Sequence, residues 1–328
     1  MLRHETDNRS TDAADATDPA FRADVLRGLA ASPRAIPARW FYDRKGSELF
    51  EEITQLPEYY PTRTETALLE TACPEVAREL GTGGAVVEFG SGSSVKTPVL
   101  LRAVKPSVYV PIDISGEFLR DSAAVIADAF PAITVEPVEG DFLKPLALPR
   151  GIGGLARLGF FPGSTIGNMT PAAAVDLLRA MRQSLGEGAA LLIGIDRIKA
   201  PDRLVAAYDD SAGVTGAFNM NLIDRINREL DGTIPADAFR HVARWNDRAA
   251  RIEMHLEAVR DVTFAVDGQQ FSMTAGETIH TENSHKYGPR DAALLLAAGG
   301  WTVRREWSDA DNLFGLYLAV AEAPPQAP

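Results

Sequence analysis

The chain has 328 residues, of which 45% are hydrophobic and 24% charged, a composition that excludes a disordered or fibrous protein and allows a large core. The net charge of −12 argues against a nucleic-acid partner, because binding to phosphate backbones favours a basic face. The single cysteine, Cys73, excludes an internal disulfide bond and is typical of a reducing cytoplasm.

The two ends of the chain are polar. Residues 1–18 are rich in Asp, Thr and Ala and are expected to form a disordered lead-in, and residues 323–328 are expected to be unstructured. No apolar signal core follows the N-terminus, and no segment is long enough to span a bilayer. The sequence therefore predicts a cytoplasmic protein without membrane contacts, and it gives no sign of an obligate protein partner.

Between residues 84 and 196, short apolar runs alternate with helical segments. The predicted strands are 85–89, 108–112, 133–138, 158–161 and 189–195. The clearest helix is Pro171–Leu185, with Thr170 as its N-cap and proline at its first position. Apolar strands that alternate with helices indicate a parallel sheet covered on both faces.

The pattern changes between residues 197 and 286. Two predicted helices, 202–207 and 215–230, are followed by runs typical of antiparallel strands at 242–245, 252–259, 262–266 and 271–273. Asp267-Gly268 suits a hairpin turn between the last two of these runs. A helix at 290–298 and strands at 302–307 and 313–321 then resume the first pattern.

This succession predicts an α/β protein with two domains. Residues 61–196 and 287–321 are expected to form a Rossmann-like, doubly wound domain, and residues 197–286 to be an insertion in it. The insertion is expected to join residues 19–60 in a second, α+β domain on the substrate side. Ligands of open α/β sheets bind beyond the carboxyl ends of the strands, so the residues at those ends are the first candidates for a site.

Three successive strand ends carry groups that suit a nucleoside ligand. Gly90 and Gly92 follow the first strand, where small residues let the backbone approach a ligand. Asp113 follows the second strand and can accept both hydroxyls of a ribose. Asp141 and Phe142 follow the third, where a carboxylate can bond the adenine amino group and an aromatic ring can cover the base. A single carboxylate at a strand end is an ordinary cap about as often as it is a ligand-binding group. The three strand ends together, however, predict a site for S-adenosylmethionine (SAM).

Two neighbouring residues refine this prediction. Val95 stands where the dinucleotide fingerprint has Gly or Ala, which disfavours NAD as the cofactor. Lys96 can help to hold the methionine carboxylate of SAM, although a solvated lysine in the first turn of a helix is the simpler interpretation.

Further blocks outside the strand ends are more specific. They span residues 41–43, 46–50, 53–63, 163–168, 207–215, 218–219, 227–230, 251–254 and 281–284. The most distinctive are the Tyr59-Tyr60 pair and the Gly163-Ser-Thr-Ile-Gly-Asn168 block. From about Ala38 to Ala321, the chain resembles the SAM-dependent L-histidine Nα-methyltransferase family of ergothioneine biosynthesis.

The resemblance implies SAM-dependent trimethylation of free L-histidine to hercynine, with S-adenosylhomocysteine (SAH) as the second product. It also implies two sets of site residues. The cofactor set is Gly90, Lys96, Asp113, Asp141 and Phe142. The substrate set is Tyr59, Asn168 and Tyr208 for the amino-acid end, Glu282 and Ser284 for the imidazole, and Met254, Gly163 and Asn283 along the pocket. Tyr42 and Phe50 are expected in the wall of the site, and Tyr42 or Tyr59 is the candidate for guiding the amine proton.

The residue types suit this chemistry. A neutral imidazole has one donor and one acceptor nitrogen, so Glu282 can accept from the first and the Ser284 hydroxyl can donate to the second. A site built to bond such groups rejects apolar analogues, because its buried polar atoms would lose their partners. The simpler interpretations are that Tyr59 is a core aromatic, Asn168 a turn residue and Glu282 a solvated carboxylate.

Other functions remain open at this point. The substrate can be another free amino acid or amine, such as tryptophan or a derivative, and the residues at 254, 282 and 284 distinguish these possibilities. From a different class, the chain can be a non-catalytic regulator that binds an adenosyl ligand. The five histidines lack a recognised metal-ligand spacing, so no metal is assigned.

Overall fold

The computed structural model describes residues 18–92, 96–114 and 116–322. Residues 1–17 of the predicted lead-in and the predicted unstructured end, residues 323–328, lie outside these ranges. Asp18, predicted as the last lead-in residue, instead caps the first helix, because its carboxylate accepts from the Ala20 amide at 2.7 Å. Within the described ranges, no helix is long and apolar enough to cross a membrane.

Most of the predicted elements are present, with ends shifted by a few residues. The helices are α1 (Pro19–Ala30), α2 (Arg44–Thr54), α3 (Tyr60–Leu80), α4 (Thr97–Val104), α5 (Gly116–Ala129), α6 (Pro171–Leu185), α7 (Pro201–Ala206), α8 (Val214–Glu229) and α9 (Pro289–Ala298). The strands are β1 (Arg34–Ala35), β2 (Ala85–Phe89), β3 (Val108–Asp113), β4 (Thr134–Val135), β5 (Val138–Glu139), β6 (Arg157–Phe161), β7 (Ala190–Asp196), β8 (Phe239–Asn246), β9 (Arg251–Ala258), β10 (Val262–Val266), β11 (Gln269–Met273), β12 (Thr278–His285), β13 (Thr302–Ser308) and β14 (Phe314–Val320).

The larger sheet has the strand order β13-β14-β7-β6-β2-β3-β4, with β5 also paired to β3. Strands β2 to β7 run parallel, whereas β14 is antiparallel to β7 and to β13. β2 pairs with β3 on one side and with β6 on the other. The switch point of the sheet therefore lies at the carboxyl end of β2. The predicted α/β, Rossmann-like fold is thus confirmed.

One predicted strand is divided. Residues 133–138 were expected to form a single strand, but the structure has β4 and β5 there, paired to different parts of β3. Pro137 lies between them and has no amide hydrogen to donate to a ladder, which accounts for the break.

The smaller sheet has the order β1-β12-β9-β8, and β10 and β11 form a separate hairpin. Asp267 and Gly268 turn that hairpin with φ of 49° and 72°, as a two-residue turn of this type requires. β12 was not predicted, because its sequence, Thr-Ile-His-Thr-Glu-Asn-Ser-His, lacks an apolar alternation. It is nevertheless an inner strand, parallel to β1 and antiparallel to β9.

The buried side chains fall into three clusters. Two cover the opposite faces of the larger sheet, so neighbouring residues such as Val86 and Val87 belong to different clusters. The third cluster draws on residues between 21 and 60 and between 204 and 279, together with Leu313. The smaller sheet also joins β1 from the N-terminal part to strands of the insertion.

Candidate active site

The carboxyl end of β2 forms a backbone cradle at the switch point of the larger sheet. Gly90 and Gly92 have φ of 71° and 47°, which favour glycine. Their amides donate to the Ile112 carbonyl at 2.8 Å and to the Asp113 carboxylate at 3.1 Å. A Cβ on Gly90 would lie 3.2 Å from the Phe142 ring, so this close approach needs glycine. The cradle brings Gly90, Asp113 and Phe142 together, as predicted for a nucleoside site.

Asp141 lies just beyond β5, one residue before Phe142. Its carboxylate accepts from the Leu143 amide at 3.0 Å, which fixes the turn that carries the ring. Phe142 packs edge-on against Phe161 of β6, with ring centroids 6.0 Å apart. The aromatic ring is therefore held against the end of the sheet, next to the cradle.

A buried carboxylate lies on β2, two residues before Gly90 of the cradle. Glu88 of β2 is 1% exposed and accepts from the hydroxyls of Tyr109 at 2.6 Å and Thr97 at 2.7 Å. Burial raises the pKa of Glu88 to about 7, although these two hydrogen bonds oppose the shift. Through Thr97, this carboxylate ties the first turn of α4 to β2.

Lys96, predicted at the methionine end of the cofactor, is paired within the protein. Its ammonium contacts the fully buried carboxylate of Glu65 on α3. Glu65 also accepts the Gly163 amide at 2.8 Å, and a Cβ on Gly163 would lie 3.8 Å from the Lys96 ammonium. Glu65 thus joins a predicted cofactor residue to a predicted substrate residue. The sequence analysis missed it, because one acidic residue in a helix is ordinarily solvated.

Five aromatic residues form a continuous wall, which we call the aromatic wall. Along it, Tyr42 packs on Phe50 at 5.6 Å, Phe50 on Tyr59 at 6.4 Å and Tyr59 on Tyr208 at 6.2 Å between ring centroids. Phe218 of α8 lies behind Tyr42 and Phe50, at 5.8 and 6.1 Å. Tyr42 keeps 40% of its surface accessible, so one end of the wall is open to solvent.

Glu282 faces this wall. Burial raises the pKa of the carboxyl group to about 7, against the opposing effect of the Lys286 ammonium. Burial likewise raises the pKa of Tyr42, Tyr59 and Tyr208 well above the usual value of a phenol, and the Glu282 carboxylate adds to the shift in each. These three phenols therefore keep their protons at neutral pH.

Strands β9 and β12 bring the predicted imidazole residues to one face. Met254 lies directly across from Glu282, and the next position of β12 on that face is Ser284. A β-bulge between His280 and Glu282 changes the alternation of side chains. The Thr281 hydroxyl at the bulge lies 3.1 Å from Met254 O, so a side-chain contact links the irregular backbone to β9.

Asn283 does not join this group. Side chains alternate along a strand, and Asn283 pairs across β9 with Glu253, on the face opposite Glu282 and Ser284. Its side chain lies near the His280 imidazole there. The prediction that Asn283 lines the substrate pocket did not allow for this alternation.

Asn168 ends the turn Thr165–Asn168, which packs against β12. A Cβ on Gly167 would lie 2.7 Å from the His285 carbonyl oxygen, so glycine permits this approach. The Asn168 side chain hydrogen-bonds the Glu282 carboxylate. Two residues predicted for opposite ends of the substrate thus lie in contact.

Tyr208 and Ser284 were also predicted for opposite ends. Their hydroxyls are 2.7 Å apart, and the Lys286 ammonium lies 3.0 Å from the first and 2.8 Å from the second. Lys286 in turn pairs with Asp196 at the end of β7, at 2.7 Å, and both side chains are fully buried. Asp196 and Lys286 were missed, although the spacing 282, 284 and 286 places the lysine on the face of the two predicted residues.

Asn219 of α8 is a further residue that the sequence analysis left without a role. Its side chain accepts from the Thr281 hydroxyl at 2.8 Å and donates to the His255 carbonyl at 3.0 Å. It thereby holds the bulge of β12 against β9, one residue from Glu282. Asn219 belongs to a distinctive sequence block, but the sequence alone did not indicate which strand it contacts.

The outer face of β9 and β12 carries Glu253, His255 and His280, whose possible metal-ligand atoms lie within 4.8 Å of one another. The two imidazole rings are stacked, with centroids 4.8 Å apart and planes 22° from parallel, so their in-plane lone pairs do not point at a common ion. Glu253 pairs with Arg251 at 2.6 Å. We therefore describe this group as a hydrogen-bonded cluster and assign no metal to it.

Known proteins are similar in sequence to this chain over nearly its whole length. The family model described as a SAM-dependent, histidine-specific methyltransferase matches residues 21–321. A histidine N-alpha-methyltransferase of Mycolicibacterium smegmatis is 43% identical over 94% of this chain and 97% of its own. The protein of the same name from Mycobacterium tuberculosis is 42% identical over 93% and 96%. Ergothioneine biosynthesis protein 1 of Neurospora crassa is 29% identical over 87% of this chain, which spans 33% of that longer protein.

Proposed function

The chain belongs to the SAM-dependent, histidine-specific methyltransferase family, and we propose that it trimethylates the α-amino group of free L-histidine to hercynine, a step of ergothioneine biosynthesis. The family predicted from the sequence is confirmed. One observation carries the proposed substrate: Glu282 and Ser284 project from one face of β12 toward the tyrosines of the aromatic wall. An acceptor and a hydroxyl at that spacing suit an imidazole ring.

SAM is the methyl donor of this family. The cradle residue Gly90, the strand-end carboxylates Asp113 and Asp141, and the ring of Phe142 would hold its nucleoside. Lys96, next to Glu65, would meet its methionine end. When bound, SAM supplies an electrophilic methyl group on a sulfonium, so the protein need only orient the amine and exclude water.

The substrate would lie with its imidazole at Glu282 and Ser284 and its amino-acid end toward Tyr59, Tyr208 and Asn168. The contact between Asn168 and Glu282 supports a short pocket in which one small amino acid touches both groups. Met254, which is 1% exposed and opposite Glu282, would pack on the ring. Gly163 lies beside Lys96, where the cofactor and substrate ends of the site meet.

Tyr42 and Tyr59 would act as neutral hydroxyls. Because their pKa values lie well above the usual value, they orient the amine and pass its proton to water rather than remove it as phenolates. The faces of Tyr42, Phe50 and Tyr59 would also stabilise the methylated ammonium as it gains methyl groups. Which of the two tyrosines handles the proton is tested by comparing the pH profiles of Tyr42→Phe and Tyr59→Phe.

Isotope transfer tests the proposed substrate. The purified chain is incubated with methyl-labelled SAM and, separately, with each member of a panel of free amino acids that includes histidine and tryptophan. We expect label in histidine alone. Preferential labelling of tryptophan or another amine would favour the alternative substrate. SAM binding without transfer to any member would favour a regulator that binds an adenosyl ligand.

We also propose that residues 19–60 and 197–286 act as a substrate-binding domain, and residues 61–196 and 287–321 as the cofactor-binding domain. The third core cluster and the pairing of β1 with β12 support this division. A cytoplasmic location is proposed because the one cysteine, Cys73, is a buried free thiol.

A further inference from the structure

Lys286 lies just beyond β12 and is fully buried beside the proposed imidazole site. Its Nζ is 2.7 Å from Asp196 Oδ2, 2.8 Å from Ser284 Oγ and 3.0 Å from Tyr208 Oη. An ammonium has three hydrogens and no lone pair, so these three contacts use all of its donors. Ser284 and Tyr208 must therefore both accept from Lys286.

The two hydroxyls also bond each other, at 2.7 Å. Each hydroxyl has one hydrogen and can accept two bonds. One of the two hydrogens is used between them, so one remains for the pocket. A phenol is more acidic than an aliphatic alcohol, which makes Tyr208 the donor of the shared bond and leaves the Ser284 hydrogen free. Ser284 Oγ then accepts from both Tyr208 and Lys286 and has no further capacity to accept.

We propose that Lys286 determines the specificity of the ring site: by occupying Ser284 as an acceptor, it makes that hydroxyl a donor only, which selects an unprotonated ring nitrogen. Glu282 accepts the N–H of the same ring. The two groups together select the neutral imidazole and disfavour both an imidazolium and a ring without an acceptor nitrogen. This inference rests on the proposed function and deepens it.

Asp196 holds Lys286 in place. Its carboxylate also bonds the Lys199 ammonium at 2.6 Å and the Tyr60 hydroxyl at 2.7 Å. The two ammonium groups keep the pKa of Asp196 below its usual value despite burial. Lys199 bonds Asp196, the Tyr60 hydroxyl and the Arg197 carbonyl. It shares a carboxylate with Lys286 and is therefore a matched control for a purely structural role of the network.

The probes are the two isomers of pyrrolylalanine, which keep a ring N–H but have C–H where histidine has its acceptor nitrogen. The measurement is the ratio of kcat/KM for histidine to kcat/KM for the better isomer. We expect the wild-type chain to prefer histidine by about 100-fold or more, because a pocket with a buried donor rejects a ring that cannot accept. Lys286→Met should lower this preference by about tenfold, because without the ammonium the Tyr208 hydroxyl can turn to the Asp196 carboxylate and accept the Ser284 hydrogen, which then needs no ring acceptor.

Lys199→Met should keep the wild-type preference within about threefold, whatever its effect on the overall rate. Lys286→Gln, which retains a neutral donor, should recover part of the preference and replaces Lys286→Met if that variant no longer binds SAH. An equal preference in Lys286→Met and wild type, or an equal loss in Lys286→Met and Lys199→Met, would overturn the inference. Equal kcat/KM values of the wild-type chain for histidine and for pyrrolylalanine would also overturn it. A wild-type chain that methylates no histidine would instead overturn the proposed function.

Discussion

Glu282 is the residue whose removal should separate substrate binding from cofactor binding. Its carboxylate faces the aromatic wall and bonds Asn168, whereas the cofactor cradle lies at the end of β2. Loss of a charge-assisted hydrogen bond costs about 1.5–3 kcal/mol, so Glu282→Ala should raise the Kd of histidine roughly 10- to 150-fold. Calorimetric titration with histidine, in the presence of SAH, measures this change, and SAH affinity alone should remain that of the wild type.

Asp113→Ala is the matched control, since it removes a carboxylate from the other end of the site. It should lower the affinity for SAH, because the ribose loses its acceptor. The affinity for histidine should fall only to the extent that histidine binding requires bound SAH. Equal weakening of SAH and histidine by Glu282→Ala would contradict the assignment of Glu282 to the imidazole. Unchanged SAH affinity in Asp113→Ala would make Asp113 no more than a support for the Gly92 amide.

At the scale of secondary-structure elements, the turn Thr165–Asn168 positions the pocket through one glycine. A Cβ on Gly167 would lie 2.7 Å from the His285 carbonyl oxygen, so either the turn or β12 must move to accept it. We expect Gly167→Ala to cost about 1–3 kcal/mol of folding free energy. Displacement of Asn168 from Glu282 should also raise the KM for histidine several-fold. Denaturant unfolding and steady-state kinetics measure the two effects.

Gly216→Ala provides the comparison for this substitution. Gly216 lies inside α8, where a Cβ would meet the His241 side chain at an ordinary 3.6 Å. Alanine in a helix is favoured over glycine by about 0.5–1 kcal/mol, so this variant should be as stable as the wild type or more so. If both substitutions have the same effect on KM, the close approach at Gly167 does not position Asn168.

The elements also show what the sequence could and could not predict. The main sheet was predictable, because apolar strands ended at Gly90, Asp113 and Asp141 in a regular order. β12 was not, because its residues are polar and it is stabilised by pairing on both sides rather than by an apolar alternation. The sequence did not indicate the bulge within β12 either. That bulge decides that Glu282, rather than Asn283, lies on the face of Met254 and the aromatic wall.

Long-range polar contacts were beyond the sequence for the same reason. The resemblance supplied Ser284 and Tyr208 as separate residues at opposite ends of a ligand. Only the fold brings Lys286 and Asp196, 90 positions apart in the numbering, to within 2.7 Å beside them. Glu65 is a similar case, since nothing in its helix indicated that it would be buried against Lys96.

At the scale of the whole molecule, the buried carboxyl group of Glu88 should make stability depend on pH. Burial raises its pKa from 4.5 to about 7, so between these values the folded state binds more protons than the unfolded state. The free energy of unfolding should therefore fall as pH rises from about 4.5 to about 7, by up to roughly 3 kcal/mol. Glu88→Gln keeps an acceptor for Thr97 and Tyr109 and should remove that part of the dependence.

Denaturant unfolding of the ligand-free chain at several pH values between 5 and 8 measures the effect. Glu187→Gln, at an exposed carboxylate, controls for the loss of one charge. We expect Glu88→Gln to gain stability over the wild type at pH 8, and Glu187→Gln to follow the wild-type curve. Parallel curves for Glu88→Gln and wild type would show that Glu88 is not a buried proton-binding group.

The central claim, Nα-trimethylation of histidine, is tested most directly by fragmentation mass spectrometry of the products over time with SAM in excess. If the imidazole is held by Glu282 and Ser284, only the α-nitrogen can meet the methyl donor, and the aromatic wall accepts each methylated ammonium. We expect monomethyl- and dimethylhistidine to appear in turn and convert fully to trimethylhistidine, with every methyl group on the α-nitrogen. A methyl group on a ring nitrogen, or accumulation that halts at the monomethyl product, would contradict this account.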